Sequence, residues 1–310
     1  MEYKRIVFMG TPYFARRILE TLLENGYPVV AVVTQEDKPT GRKKVLTPSA
    51  VKEEALLHNI PILQPHKVRI EYEQILSYDP DLIITCAYGQ FIPAAVLDHC
   101  LCLNVHASLL PKYRGGAPMQ RSIMHGDTLT GVTIMHMAQG MDDGDMLNKA
   151  EVEITHEDTL DTLENKLIEA ACPLLLDALH LLKEDKAVFT QQPHAEATVA
   201  RIIKSEEEKL SFDEEYEDFY NHARALISVP CGYVYTENGQ KLKICALRTS
   251  SVETEEEDGK ILGLAEKGIA VALHGRLILL DAVQLEGKSR VSAREFMNGA
   301  GRKLLNTKLQ

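Results

Sequence analysis

The 310-residue chain has few cysteines, no glycine-rich dinucleotide fingerprint and no apolar run of membrane-spanning length. Its longest apolar stretches, such as Leu82–Ala87 and Leu277–Val283, fall far short of the roughly 20 residues that a membrane helix needs. The first residues, Met1-Glu2-Tyr3-Lys4-Arg5, lead straight into a strand-like segment without an apolar signal region, so a cytoplasmic protein that meets no membrane is expected. Six cysteines are too few to staple a chain of this length, and Cys86, Cys172 and Cys245 sit inside apolar runs as reduced core residues. Gly10 alone is a weak phosphate signal. Without G-x-G-x-x-G, and without an acidic residue suitably placed in the second strand, a dinucleotide site is not expected. Basic charge is also in deficit. A net charge of -11 opposes any uniform attraction to phosphate, so a nucleic-acid partner would have to be held by concentrated basic segments.

Such segments exist. Lys38, Arg42, Lys43 and Lys44 crowd one short stretch, and Lys288–Lys308 holds six bases against the single acid Glu295. Apolar residues at 45% and charged residues at 25% describe an ordinary globular chain, long enough for two cores. In the first half, short β-branched runs alternate with helical patterns. Arg5–Met9, Val29–Val33, Leu82–Thr85 and Leu101–Val105 read as strands. Phe14, Ile18, Leu22 and Leu23 recur at helical spacing after Thr11-Pro12, where Thr11 suits a cap and Pro12 the first turn. This alternation predicts an α/β fold with a Rossmann-like parallel sheet covered on both faces. Leu160, Leu163, Leu167, Leu174 and Leu181 mark a long amphipathic helix, kinked at Pro173 and ending near Lys183-Glu184-Asp185. The polar, aperiodic stretch that follows predicts a linker. Beyond it the runs Lys241–Ala246, Gly268–Leu273 and Leu277–Val283 alternate as in a small antiparallel β-barrel. The expected domains are 1–188, a linker at 189–206, and 207–310.

The chemistry concentrates in residues 104–118, Asn-Val-His-Ala-Ser-Leu-Leu-Pro-Lys-Tyr-Arg-Gly-Gly-Ala-Pro, which leave a buried-looking strand at the end where open α/β sheets place their sites. In an extended Asn104-x-His106 the two side chains leave one face, so an amide donor and an imidazole can converge on one oxygen. A second loop, Gly140-Met141-Asp142-Asp143-Gly144-Asp145-Met146, offers three carboxylates. Asp and Gly are common turn formers, and the regular ligand spacing and distal glutamate of an EF-hand are missing. A carboxylate brought beside His106 would orient the ring.

Asn-x-His followed by Ser-Leu-Leu-Pro-x-x-Arg-Gly-x-Ala-Pro-x-Gln resembles the folate-dependent formyltransferases. The resemblance covers nearly the whole chain. It includes Phe8-Met9-Gly10-Thr11-Pro12, the basic loop 38–44, Gly131-Val132-Thr133-Ile134-Met135, Asp142–Met146, Leu285–Arg290 and Phe296–Ala300. The basic loop and the C-terminal segments are most similar to the branch that formylates a tRNA. The resemblance implies a Rossmann-like catalytic domain joined to a C-terminal domain resembling an OB-fold. It places the catalytic residues at Asn104, His106 and Asp142. It places the folate-binding segment at Ser108, Leu109, Leu110 and Pro111. For tRNA contacts it points to Arg42, Lys43 and Lys44, and the basic residues Lys38, Lys288 and Arg302 join them. It implies transfer of the formyl group of 10-formyltetrahydrofolate to the α-amino group of methionyl initiator tRNA, in support of translation initiation. A monomer without a metal is expected. One departure is Val229-Pro230-Cys231, where the family often has Trp-Pro; the chain has no tryptophan at all, and a change of packing in the second domain is expected.

Two alternatives remain open at this stage. Another formyltransferase, acting on glycinamide ribonucleotide or an amino sugar nucleotide, would share the catalytic set but not the basic loop or the extra domain. A zinc protein could draw on His99, Cys100, Cys102 and His106, although no second Cys/His cluster accompanies them.

Overall fold

The computed structural model describes residues 3–40 and 44–310. Two compact units emerge: Met1–Pro118, Leu129–Glu153 and Glu164–Arg201 form the first, and Met119–Thr128, Ile154–Leu163 and Ile202–Gln310 form the second. The expected linker is therefore not a free tether. Most of it, up to Arg201, belongs to the first unit.

The strands of the first unit are β1 (Ile6–Gly10), β2 (Val29–Val33), β3 (Lys38–Thr40), β4 (Val45–Thr47), β5 (Ile62–Leu63), β6 (Leu82–Cys86), β7 (Leu101–His106), β8 (Leu129–His136) and β9 (Met146–Glu153). Seven of them form one sheet in the order β5-β2-β1-β6-β7-β8-β9. The strands β5, β2, β1, β6 and β7 are mutually parallel, whereas β8 pairs antiparallel with both β7 and β9, so the sheet is dominated by parallel pairing without being wholly parallel. β1 shows why the apolar runs are readable as strands. Ile6, Val7, Phe8 and Met9 are all fully buried, and a strand covered on both faces needs no polar alternation.

From β1 the chain winds to one side through β2 and to the other through β6, which creates a switch point and a crevice at the carboxyl ends of these strands. Gly10 ends β1 because nothing larger fits. A Cβ there would lie 2.6 Å from Ala15 Cβ and 2.9 Å from the Cys86 carbonyl oxygen. Thr11 does not cap the helix Tyr13–Glu24. Pro12 takes the N-cap position, and the Thr11 hydroxyl instead donates to the Tyr88 carbonyl at 3.2 Å, tying the loop after β1 to the loop after β6. The long helix runs from Leu160 to Lys183, with Pro173 inside it.

The second unit contains β10 (Tyr233–Tyr235), β11 (Lys241–Glu253), β12 (Ile261–Ala265), β13 (Gly268–Leu273), β14 (Arg276–Leu285) and β15 (Val291–Ser292). These form an antiparallel sheet in the order β10-β11-β14-β13-β12, with β15 on β14. His274 and Gly275 join β13 to β14 with φ of 45° and 75°, the positive values that a two-residue type I′ turn requires. The core gathers Leu210, Phe219, Ile244, Val271, Ile278 and Phe296. Val229 is 74% exposed, so the residue standing where the family often has tryptophan is a surface position and not a packing one. The two inserted segments are fastened by polar contacts. Arg121 pairs with Glu207 at 2.7 Å, and the buried Arg224 donates to the carbonyls of Thr155 at 3.1 Å and Asp158 at 2.5 Å. No described helix is long and apolar enough to cross a membrane.

Candidate active site

Strand periodicity sends Asn104 and His106 off the same face of β7, at its carboxyl end. The parallel register sets Thr85 of β6 opposite Asn104, and the Thr85 hydroxyl donates to Asn104 Oδ1 at 2.8 Å. The Asp142 carboxylate on the other side can only accept, which settles which way the amide points. Its oxygen is taken, so Nδ2 is the atom that faces Asp142 Oδ1, 3.4 Å away. His106 is 5% exposed, and its Nε2–H donates to the Tyr113 carbonyl at 2.9 Å. With Nε2 committed, Nδ1 is the ring atom left for chemistry, and it stands 3.7 Å from Asp142 Oδ2. This separation is beyond hydrogen-bond length but within reach of a charge.

Asp142 lies in the connection between β8 and β9 and carries a φ of 48°. The left-handed region costs a residue with a Cβ roughly 1–2 kcal/mol, and Asp is among those that tolerate it. Neighbours hold it there. Gly115 N–H donates to Asp142 Oδ2 at 2.8 Å, and Gln192 Nε2 donates to the Asp142 carbonyl at 2.8 Å and to the Gly144 carbonyl at 2.7 Å. The glycines of the loop reflect close approach more than turn geometry. A Cβ on Gly144 would lie 1.9 Å from the His136 carbonyl oxygen, and one on Gly140 1.9 Å from Asp143 Oδ2. The three aspartates therefore separate. Asp142 faces His106, while Asp143 folds over Gly140 with Oδ1 buried and without a described partner.

The segment after β7 is clamped from the sheet. Thr133 of β8 lies in register with His106 and with Lys149 of β9. The Thr133 hydroxyl donates to the Ser108 carbonyl at 2.7 Å and accepts from Leu110 N–H at 3.1 Å, and the Lys149 ammonium donates to the Leu110 carbonyl. Burial pushes the Lys149 pKa down, with nearby Glu196 opposing the shift. Ser108, Leu110 and Pro111 are buried, and the Ser108 hydroxyl is spent on the Lys112 carbonyl at 2.6 Å. Leu109 packs on Gly131, where a Cβ would come within 2.6 Å of Leu109 Cδ2. The segment thus presents main chain and Leu109 rather than a free hydroxyl.

Sequence reasoning missed the wall of the site. Thr190 exchanges both main-chain hydrogen bonds with Met146, Thr198 and Ala200 pair with the segment Pro111–Ala117, and the Thr198 hydroxyl accepts from Tyr113 N–H at 2.8 Å. Residues 190–200 therefore line both loops of the site, although their composition reads as a linker. The only sequence signal for Thr85 is a polar residue near the carboxyl end of an otherwise apolar strand.

Of the expected tRNA-contacting residues, Lys38 stands exposed in β3 and Lys44 exposed before β4, whereas Arg42 and Lys43 lie outside the described residues. Lys288 and Arg302 are exposed in the second unit. The zinc alternative fails on geometry. Cys102 and His106 are four residues apart along one extended strand, roughly 13 Å at the ordinary strand rise. Among the described residues, no group of three or more His, Cys, Asp or Glu side chains is placed to hold a metal.

Residues 4–179 match the formyl transferase family, and residues 202–301 match the formyl transferase C-terminal domain. The chain is 46% identical to methionyl-tRNA formyltransferase of Bacillus subtilis over 301 residues, covering 96% of this chain and 95% of that one. It is 47% identical to methionyl-tRNA formyltransferase of Geobacillus thermodenitrificans over 310 residues, covering 98% and 97%. Among solved structures, HypX from Aquifex aeolicus in complex with tetrahydrofolic acid superposes with a TM-score of 0.73 at 15% identity. That match covers 99% of this chain but about half (49%) of the HypX chain, and shows likeness of fold.

Proposed function

Because the chain belongs to the formyl transferase family, we infer that it formylates the α-amino group of methionyl initiator tRNA, with 10-formyltetrahydrofolate as co-substrate. Identity of 46% over nearly the full length of a relative with that activity supports the acceptor. The observation that carries the chemistry is the convergence of Asn104 Nδ2, His106 Nδ1 and the Asp142 carboxylate beside the switch-point crevice. This donor set fits an acyl group and its developing oxyanion. It offers neutral and ionic hydrogen-bonding groups, and the reaction requires no side-chain nucleophile.

An α-amino group titrates at about 8, so near neutral pH a useful fraction is already the free amine. The amine attacks the formyl carbon and a new C–N bond forms. The bond from that carbon to N10 of the folate then breaks, one proton leaves the amine and one reaches N10. The carbonyl oxygen becomes an oxyanion in between. Asn104 Nδ2 faces it as a fixed donor, and His106 joins through Nδ1–H when the ring carries both protons. One such donor is worth roughly 3 kcal/mol in the transition state. Asp142 orients His106 and takes part in moving the ammonium proton away. All six cysteines are free thiols, which accords with a reducing cytoplasm.

The deciding experiment is formyl transfer from 10-formyltetrahydrofolate to Met-tRNA with glycinamide ribonucleotide as the competing acceptor. Formylation of the nucleotide in preference to Met-tRNA overturns the reading. The net charge of -11 also makes a specific demand on how tRNA is held. Neutralising Arg42 and Lys43 together lowers activity on Met-tRNA and leaves folate binding unchanged. It also flattens the salt dependence by about one unit of slope for each phosphate that is no longer neutralised. Lys288→Ala and Arg302→Ala mainly raise the apparent KM for tRNA. Normal formylation by the Arg42/Lys43 variant, with an unchanged salt slope, would show that loop to be a solvated surface.

A further inference from the structure

Gln192 is 2% exposed and lies between the two family-matched regions, which end at residue 179 and resume at residue 202. Its amide is fully used. The two Nε2 hydrogens go to the carbonyls of Asp142 at 2.8 Å and Gly144 at 2.7 Å. Oε1 accepts from Arg114 twice, from Nε at 3.0 Å and Nη2 at 2.7 Å. An amide has two donors and two lone pairs, so nothing is left over. Arg114 in turn precedes Gly115, whose N–H donates to Asp142 Oδ2 at 2.8 Å. The result is a closed circuit that runs from the Asp142 carboxylate through Gly115, Arg114 and the Gln192 amide to the Asp142 carbonyl.

We propose that Gln192 is a positioning residue for formyl transfer, holding Asp142 in the left-handed backbone conformation that sets its carboxylate beside His106. The inference rests on the role given to Asp142 above. Two facts separate it from ordinary loop support. The carbonyls that Gln192 ties belong to Asp142 itself and to Gly144, so it fixes the Asp142–Asp143 peptide plane, directly after Asp142, and the Gly144–Asp145 plane beyond it. Its own segment is docked independently, through the main-chain pairs of Thr190 with Met146 and of Thr198 and Ala200 with Arg114. Changing the side chain therefore releases Asp142 without undocking the segment. Gln192→Glu is the discriminating substitution. It has nearly the same shape and keeps an acceptor for Arg114, but it sets oxygen against two carbonyl oxygens.

The test is steady-state formyl transfer by the full chain, with Gln192→Glu and the uncharged Gln192→Met, each in the parent and in the Asp142→Asn background. In the parent, kcat falls about tenfold or more, while KM for 10-formyltetrahydrofolate and for Met-tRNA stays within about twofold. In the Asp142→Asn background the same changes remove less than about a further twofold, because residues acting through one group are not additive. Should the charged variant unfold, Gln192→Met carries the same expectation. Equal losses in both backgrounds, or a raised KM with kcat intact, overturn the proposal and leave Gln192 a structural residue. If Asp142→Asn collapses activity while both Gln192 variants keep parent kcat, this inference alone fails. If Asp142→Asn is itself harmless, the assignment of Asp142 fails along with it.

Discussion

Asp142→Asn lowers kcat for formyl transfer by two or more orders of magnitude with the fold intact, whereas Asp143→Asn lowers it less than about tenfold. A hundredfold loss is about 2.7 kcal/mol of transition-state stabilisation. The structure explains why it should fall on one aspartate of three. Asparagine at 142 retains an oxygen for the Gly115 N–H and fits the same φ of 48°, so the loop has little reason to move. What disappears is the negative charge 3.7 Å from His106 Nδ1. Among the described residues Asp143 pairs with no such ring, and its carboxylate covers Gly140. Thermal unfolding of both variants, measured beside kcat, separates chemistry from stability. Equal and mild effects at the two positions would remove Asp142 from the mechanism.

Asn104→Ala reduces kcat by roughly 10²–10³ and leaves the KM for both substrates little changed, the pattern expected when a lost donor acts only on charge that appears in the transition state. The side chain is pre-set for that task by Thr85, which holds the amide oxygen and so keeps Nδ2 turned toward Asp142. Preorganisation of this kind matters because a donor already in place does not have to reorient when the oxyanion forms. A variant with parent kcat and weakened folate or tRNA binding would instead make Asn104 a binding residue.

How far the sequence carries these conclusions depends on what each residue answers to. The four central strands are readable to within about a residue because burial on both faces leaves an unbroken apolar run, as in Ile6–Met9. Asn104 and His106 are readable because a two-residue spacing on a strand already implies a shared face. Asp142 is readable as a candidate site residue only through the family resemblance, since its loop looks like any Asp/Gly turn. Gln192 is invisible. Its partners lie 48 and 50 residues away, and no local pattern encodes them. The stretch around it reads as a linker because its main-chain bonds go to site loops rather than to a periodic neighbour. Thr11 goes the other way. Its local setting favours a cap, and a carbonyl 77 residues distant takes the hydroxyl instead.

The way the second unit borrows two earlier segments of the chain limits how the enzyme can be dissected. A fragment beginning at Ile202 would carry Glu207 without Arg121, and the buried Arg224 without the Thr155 and Asp158 carbonyls. The Arg224 guanidinium would keep Asn221 Oδ1 as an acceptor but lose both carbonyls that take its Nη1 hydrogens, a substantial penalty for an isolated domain to absorb. Domain exchange or truncation designed at the boundary near residue 201 would thus discard part of what it meant to keep. A working chimera would have to transplant 119–128 and 154–163 together with the C-terminal piece, which makes this enzyme divisible in space but not by a single cut in its gene.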